Sequence, residues 1–78
     1  MAVRTYTVVL EPAEEGGYTV RVPALPEVVT EGDTEAEALE MAKDAIELVL
    51  ASRRDRGEPI PADVGTTLIR ELTVASAA

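Results

Sequence analysis

One segment constrains this chain more than any other. Leu39, Ala42, Ile46, Val49 and Leu50 recur at the spacing of a single helical face, and Met41, Ala45 and Leu48 widen that stripe sideways. Both ends are punctuated. Gly32-Asp33-Thr34 precedes the run, and Thr34 with Glu37 three residues on has the form of a capping box. In such a box the Thr34 hydroxyl accepts from the Glu37 amide while the Glu37 carboxylate reaches back. Asp33, Glu35 and Glu37 stand at the positive end of the helix dipole, and Arg53, Arg54 and Arg56 at its negative end. Gly57 and Pro59 then stop the run. The pattern predicts a helix over residues 35–56. Its stripe is broader than one sheet contact requires, so one flank is expected to meet a second subunit.

The rest of the chain reads as short strands. In residues 4–10, Tyr6, Val8 and Leu10 fall on one face and Thr5, Thr7 and Val9 on the other. Glu11-Pro12-Ala13-Glu14-Glu15-Gly16-Gly17 is a turn, the paired glycines permitting positive φ. Residues 18–22 alternate cleanly, Tyr18, Val20 and Val22 against Thr19 and Arg21, so a β-hairpin is predicted. Pro23-Ala24-Leu25-Pro26 ends the second strand, because proline cannot donate to a ladder. Residues 27–31 form a short third strand suited to a sheet edge, with Val28 and Thr30 sharing a face. After the helix, residues 60–65 are a loop. Residues 66–74 are predicted as a fourth strand, Leu68, Leu72 and Val74 sharing a face that Arg70 interrupts, and residues 75–78 as a frayed tail. The fold class is therefore α+β with order βββαβ. A three-stranded meander is followed by a helix and a right-handed return to a strand parallel to the first. The helix covers one sheet face, and the other is open to a partner.

Size and composition limit what such a fold can do. A single domain of 78 residues rarely draws more than ~3–5 kcal/mol from its own core. Cysteine and histidine are both absent, which removes disulfides, histidine-based triads and the usual zinc ligands as remedies. Association with a further subunit remains, so a homo-oligomer, dimer or tetramer, is expected. With 15 acidic and 7 basic side chains the net charge is −8, which repels a phosphate backbone and attracts a basic partner. No apolar run approaches the ~20 residues needed to span a membrane, and residues 1–10 do not read as a signal peptide. A cytoplasmic protein is expected.

Taken in order, Gly16-Gly17-Tyr18, Pro23-Ala24-Leu25-Pro26, Thr30-Glu31-Gly32-Asp33-Thr34, Glu37-Ala38-Leu39, Ala45-Ile46 and Ile60-Pro61 resemble the HicB family of antitoxins over roughly residues 4–74. Glu27 stands where the family usually has glycine. The resemblance implies a partial ribonuclease H-like fold. It also implies a partner: a small basic HicA-type toxin that cleaves RNA and is held inactive. Many family members continue into a DNA-binding segment, and residues 1–78 read as a single domain, ordered over about 3–74, without one. DNA binding is thus not expected of this chain alone.

A ribonuclease H-like fold invites one enzymatic alternative, a metal-dependent nuclease. That chemistry needs carboxylates converging on one or two divalent ions. Residues 4–10 contain none, Glu11 stands at the end of that strand, and Glu71 is the one acid in residues 66–74. No catalytic, cofactor or metal residues are assigned. Gly32, Asp33, Thr34 and Glu37 are read as the motif that starts the helix rather than as a phosphate cradle. Glu27, Glu31, Glu40, Asp44 and Glu47 are the candidate toxin-facing acids, carboxylates standing in for the phosphates an RNA-binding surface expects. The second alternative is a stand-alone oligomerising or adaptor module with no toxin partner.

Overall fold

A computed structural model describes residues 3–77. Met1, Ala2 and Ala78, the ends of the expected domain and its tail, lie outside the described residues. Three strands, β1 (Val9–Pro12), β2 (Tyr18–Arg21) and β3 (Val29–Gly32), precede one helix, α1 (Glu35–Asp55). The sheet is an antiparallel meander in the order β1-β2-β3.

Each strand boundary has a local cause. Val9 pairs with Arg21 and Pro12 with Tyr18. Continued two residues further, that register would set Thr7 against Pro23, which has no N–H to give. Pairing therefore ends at Val9 rather than running back to residue 4, although Tyr6 and Val8 still pack on the core as the alternation requires. Pro12 is tolerated because β1 is an edge strand. The third strand begins at Val29 instead of residue 27. The Leu25 amide donates to the Val22 carbonyl and the Val28 amide to the Leu25 carbonyl, both at 2.9 Å, giving two successive turns. Pro23 and Pro26 occupy the second position of each turn, where a fixed φ favours it. No described residue but glycine has positive φ, so Glu27 fits its turn without the left-handed conformation glycine would supply.

The helix is capped at both ends. Thr34 Oγ1 accepts from the Glu37 amide at 3.1 Å, and Glu37 Oε1 accepts from the Asp33 amide at 3.3 Å. At the far end Gly57 donates to Arg54 and Glu58 to Arg53, the paired bonds of a Schellman turn. Thr34→Ala should cost about 1 kcal/mol. Urea unfolding monitored by helical ellipticity would measure this, and an unchanged midpoint would mean the cap contributes nothing.

Two adjoining clusters make the core. Val20, Ala38 and Ala42 form one, with Val8, Leu10 and Tyr18 against it. Val22, Leu25 and Val28 form the other, covered by Tyr6, Ala45, Ile46, Val49 and Leu50. The buried helical positions are alanines because α1 rides close over β3. Gly32 faces the backbone of Ala38 so tightly that a Cβ would lie 2.6 Å from Ala38 Cα. Leu39, Met41 and Leu48, assigned to the stripe by periodicity, are instead exposed.

The predicted fourth strand is absent: residues 66–74 form no strand. The loop after α1 reaches the outer edge of the segment leading into β1 and is clasped there. The Thr7 amide donates to Asp63 Oδ1 at 2.9 Å, the Thr7 hydroxyl to Asp63 Oδ2 at 2.7 Å, and the Tyr6 hydroxyl to the Pro61 carbonyl at 2.6 Å. At Gly65 φ is +87°, and beyond it the chain leaves the sheet edge rather than pairing with it. The radius of gyration, 15.3 Å, and a long axis of 52 Å record this arm. A compact chain of this length would have a radius of about 11–12 Å.

The clasp gives a pH signature. The Thr7 amide, then the Thr7 hydroxyl, hold the Asp63 carboxyl below its ordinary value. A lowered folded pKa means the clasp's contribution is complete above about 3.9, the value of an unfolded aspartate. It is lost as pH falls through the lower folded value. Asp63→Asn should therefore reduce stability at neutral pH and leave it unchanged in strong acid. Equal losses at both pH values would refute the clasp.

Candidate protein-binding surfaces

The five candidate acids are all exposed, but the fold distributes them over three places. Glu40, Asp44 and Glu47, at spacings of four and three, share one helical face. That face points away from Ala38, Ala42 and Val49, so it is the outward side of α1. Glu31 lies on β3 opposite Thr19 of β2, on the sheet face not covered by the helix. Glu11 and Arg21 share that face and form an ion pair at 2.6 Å. Glu27 sits in the turn before β3 and pairs with Arg53 near the end of α1, Nη2 to Oε2 at 2.8 Å. Its own backbone amide, then Arg53 and the charge of Arg56, hold its carboxyl below the usual range. Glu27 thus ties a turn to a helix end. The outward stripe of Glu40, Asp44 and Glu47 is the one continuous acidic surface the fold makes from the set.

The arginine cluster is similarly divided. Arg53 is bound to Glu27 and donates to the Pro59 carbonyl at 3.3 Å, and Arg56 pairs with Glu58 at 2.6 Å. Such exposed pairs are worth ~0–1 kcal/mol and serve mainly to orient side chains. Gly32, Asp33, Thr34 and Glu37 start the helix: Gly32 is buried beneath its first turn, and the Asp33 and Glu37 amides are occupied by the capping bonds.

Sequence reasoning did not find a groove of about 750 Å³ between α1 and the segment leading into β1. Tyr6, Val8, Leu39, Ile46 and Leu50 give it apolar walls, and Arg4, Lys43, Glu47 and Arg54 stand at its rim. The signal was the breadth of the helical stripe, whose Leu39 flank opens into this groove. Among the described residues no three acidic side chains gather into a metal-holding group, and no helix is long and apolar enough to cross a membrane.

A family model described as the HicB-like antitoxin of bacterial toxin-antitoxin systems matches residues 6–73. The chain belongs to the HicB-like antitoxin family. It is 47% identical over 74 residues to Antitoxin HicB 1 of Photorhabdus laumondii, covering 91% of this chain and 48% of that protein. To Antitoxin HicB of Escherichia coli K12 it is 56% identical over 41 residues, 53% of this chain and 30% of the relative. The chain therefore spans about half the length, or less, of these two named antitoxins. A UPF0150 protein of Thermoplasma acidophilum is 45% identical over 58 residues, 74% of this chain and 84% of that protein. HicB-like membership gives the acidic stripe its context, because the family is one of antitoxins.

Proposed function

We propose that this chain is a non-catalytic protein-binding module that neutralises a small basic RNA-cleaving toxin of the HicA type by covering its RNA-binding or catalytic surface. The observation that carries this reading is the exposed stripe Glu40-Asp44-Glu47 on the outward face of α1, in a family of antitoxins. Three carboxylates on a rigid helix offer a basic RNA-binding surface the charge pattern it is built to meet. Glu27 and Glu31 border other faces and add to the general field. No cofactor is needed for a mechanism of occlusion and charge complementarity. The module acts in the cytoplasm as a homo-oligomer, and its net charge of −8 keeps it off DNA by itself. The meander and helix suit a partial ribonuclease H-like fold once a fourth strand is added.

The test is titration of the protein with any small basic protein encoded beside its gene, read by calorimetry and by RNA cleavage. Stoichiometric binding with loss of cleavage is expected. Binding should weaken as salt rises from ~0.05 to ~0.5 M, where the screening length falls below about 5 Å. Joint replacement of Glu40, Asp44 and Glu47 by lysine should weaken it at least about tenfold through lost complementarity. Binding that ignores both salt and the triple replacement would remove the acidic stripe from the mechanism. A second reading, a stand-alone self-associating adaptor, is favoured by the match across 84% of the Thermoplasma protein. Absence of any complex with the neighbouring basic protein would select it.

A further inference from the structure

Beyond Gly65 the chain carries an apolar stripe into solvent. Leu68, Leu72 and Val74 are 68, 89 and 78% exposed, and they recur at the even spacing of one strand face. A free run of this kind is an unpaired edge, which folded proteins ordinarily cover. The groove between α1 and residues 4–8 is the complementary defect. Its floor and walls, Tyr6, Val8, Leu39, Ile46 and Leu50, are apolar, and it runs between α1 and the segment leading into β1.

The arm does not close this groove in its own chain. Asp63 fixes the loop against Thr7, and the left-handed turn at Gly65 directs the following residues away. Nine extended residues reach about 30 Å, enough to cross to a neighbouring molecule. We propose that residues 66–74 of one copy fill the groove of a second copy, adding a fourth strand parallel to its β1, and that the second copy reciprocates. Leu68, Leu72 and Val74 then face Tyr6, Leu39, Ile46 and Leu50. A two-fold exchange buries both arms and leaves no open end. It also supplies the missing strand and enlarges a core too small to be secure alone. The proposal rests on the self-association part of the functional reading and is independent of any toxin.

The test uses the full chain, which has no native cysteine to confuse it. Sedimentation should give a dimer. The double variant Leu39→Cys with Leu72→Cys, oxidised, should run as a disulfide-linked dimer without reductant. Leu72→Asp should raise the dimer dissociation constant at least about tenfold, since it puts a charge where an apolar side chain is buried. It should leave the helical ellipticity of concentrated samples intact. A second variant, Leu68→Asp, should act alike. A dimer indifferent to both variants, or a cross-link formed within one chain, would overturn the exchange while leaving self-association standing. A chain that stays monomeric at all concentrations, its arm ordering only when another protein is added, would overturn both.

Discussion

Replacing Gly32 by alanine is expected to leave the domain unfolded, or nearly so, at room temperature. The added Cβ would lie 2.6 Å from Ala38 Cα and 2.9 Å from the Glu37 carbonyl carbon, and it would meet the Ala38 nitrogen more closely still. These are backbone atoms of the first helical turn, so no rotamer change relieves the clash. Relief requires α1 to lift from β3. Lifting would loosen Ala38 from Val20 and pull Thr34 out of its capping geometry. Overpacking alone costs ~1–3 kcal/mol. Added to the lost cap, about 1 kcal/mol, it reaches the ~3–5 kcal/mol a domain of this size has in total. Circular dichroism with urea titration would measure it. A variant with the midpoint of the parent would show that α1 has room to move and that the close approach is not needed.

The second large effect is expected at Leu25. Its side chain is fully buried, 0% exposed, between Val22 and Val28, with Tyr6, Ile46, Val49 and Leu50 closing over it. The proline-flanked double turn exists to plant this leucine beneath the C-terminal half of α1. Leu25→Ala removes the transfer free energy and leaves a cavity, together ~2–5 kcal/mol. At ~4–8 °C per kcal/mol for a small domain, the melting temperature should fall by at least about 10 °C. Leu25→Met, which keeps the volume, should cost less than ~1.5 kcal/mol. Equal losses from the two variants would mean the site is sensitive to leucine's shape rather than to burial. The two positions report on different contacts. Gly32 senses how near helix and sheet approach, and Leu25 senses whether the space between them is filled.

Where local pattern decided structure, the chain was legible. The capping box at Thr34 and Glu37 and the stop at Gly57 are read from neighbouring residues, and the helix follows from them to within one residue. The hairpin and the core faces of Tyr6, Val8, Leu10, Tyr18, Val20 and Val22 follow from alternation. Strand ends were less legible because they depend on the partner opposite. Thr7 loses its ladder bond to Pro23, which is sixteen residues away in sequence and invisible to a local window. The candidate site divided similarly. Glu40, Asp44 and Glu47 share a face by helical periodicity alone. That Glu27 is taken by Arg53 and Glu31 lies on the far sheet face required the tertiary arrangement.

The sequence by itself determined the first three strands, the helix, the α+β class and the resemblance to an antitoxin family, because propensity, capping and alternation act over a few residues. Only the tertiary structure decided how close α1 comes to β3, which makes alanine rather than leucine the buried helical residue at positions 38 and 42. It also decided the fate of residues 66–74. Their alternation is that of a strand, but a strand exists only where another edge receives its hydrogen bonds. In this chain the Asp63 clasp and the turn at Gly65 carry them past the edge of the segment leading into β1.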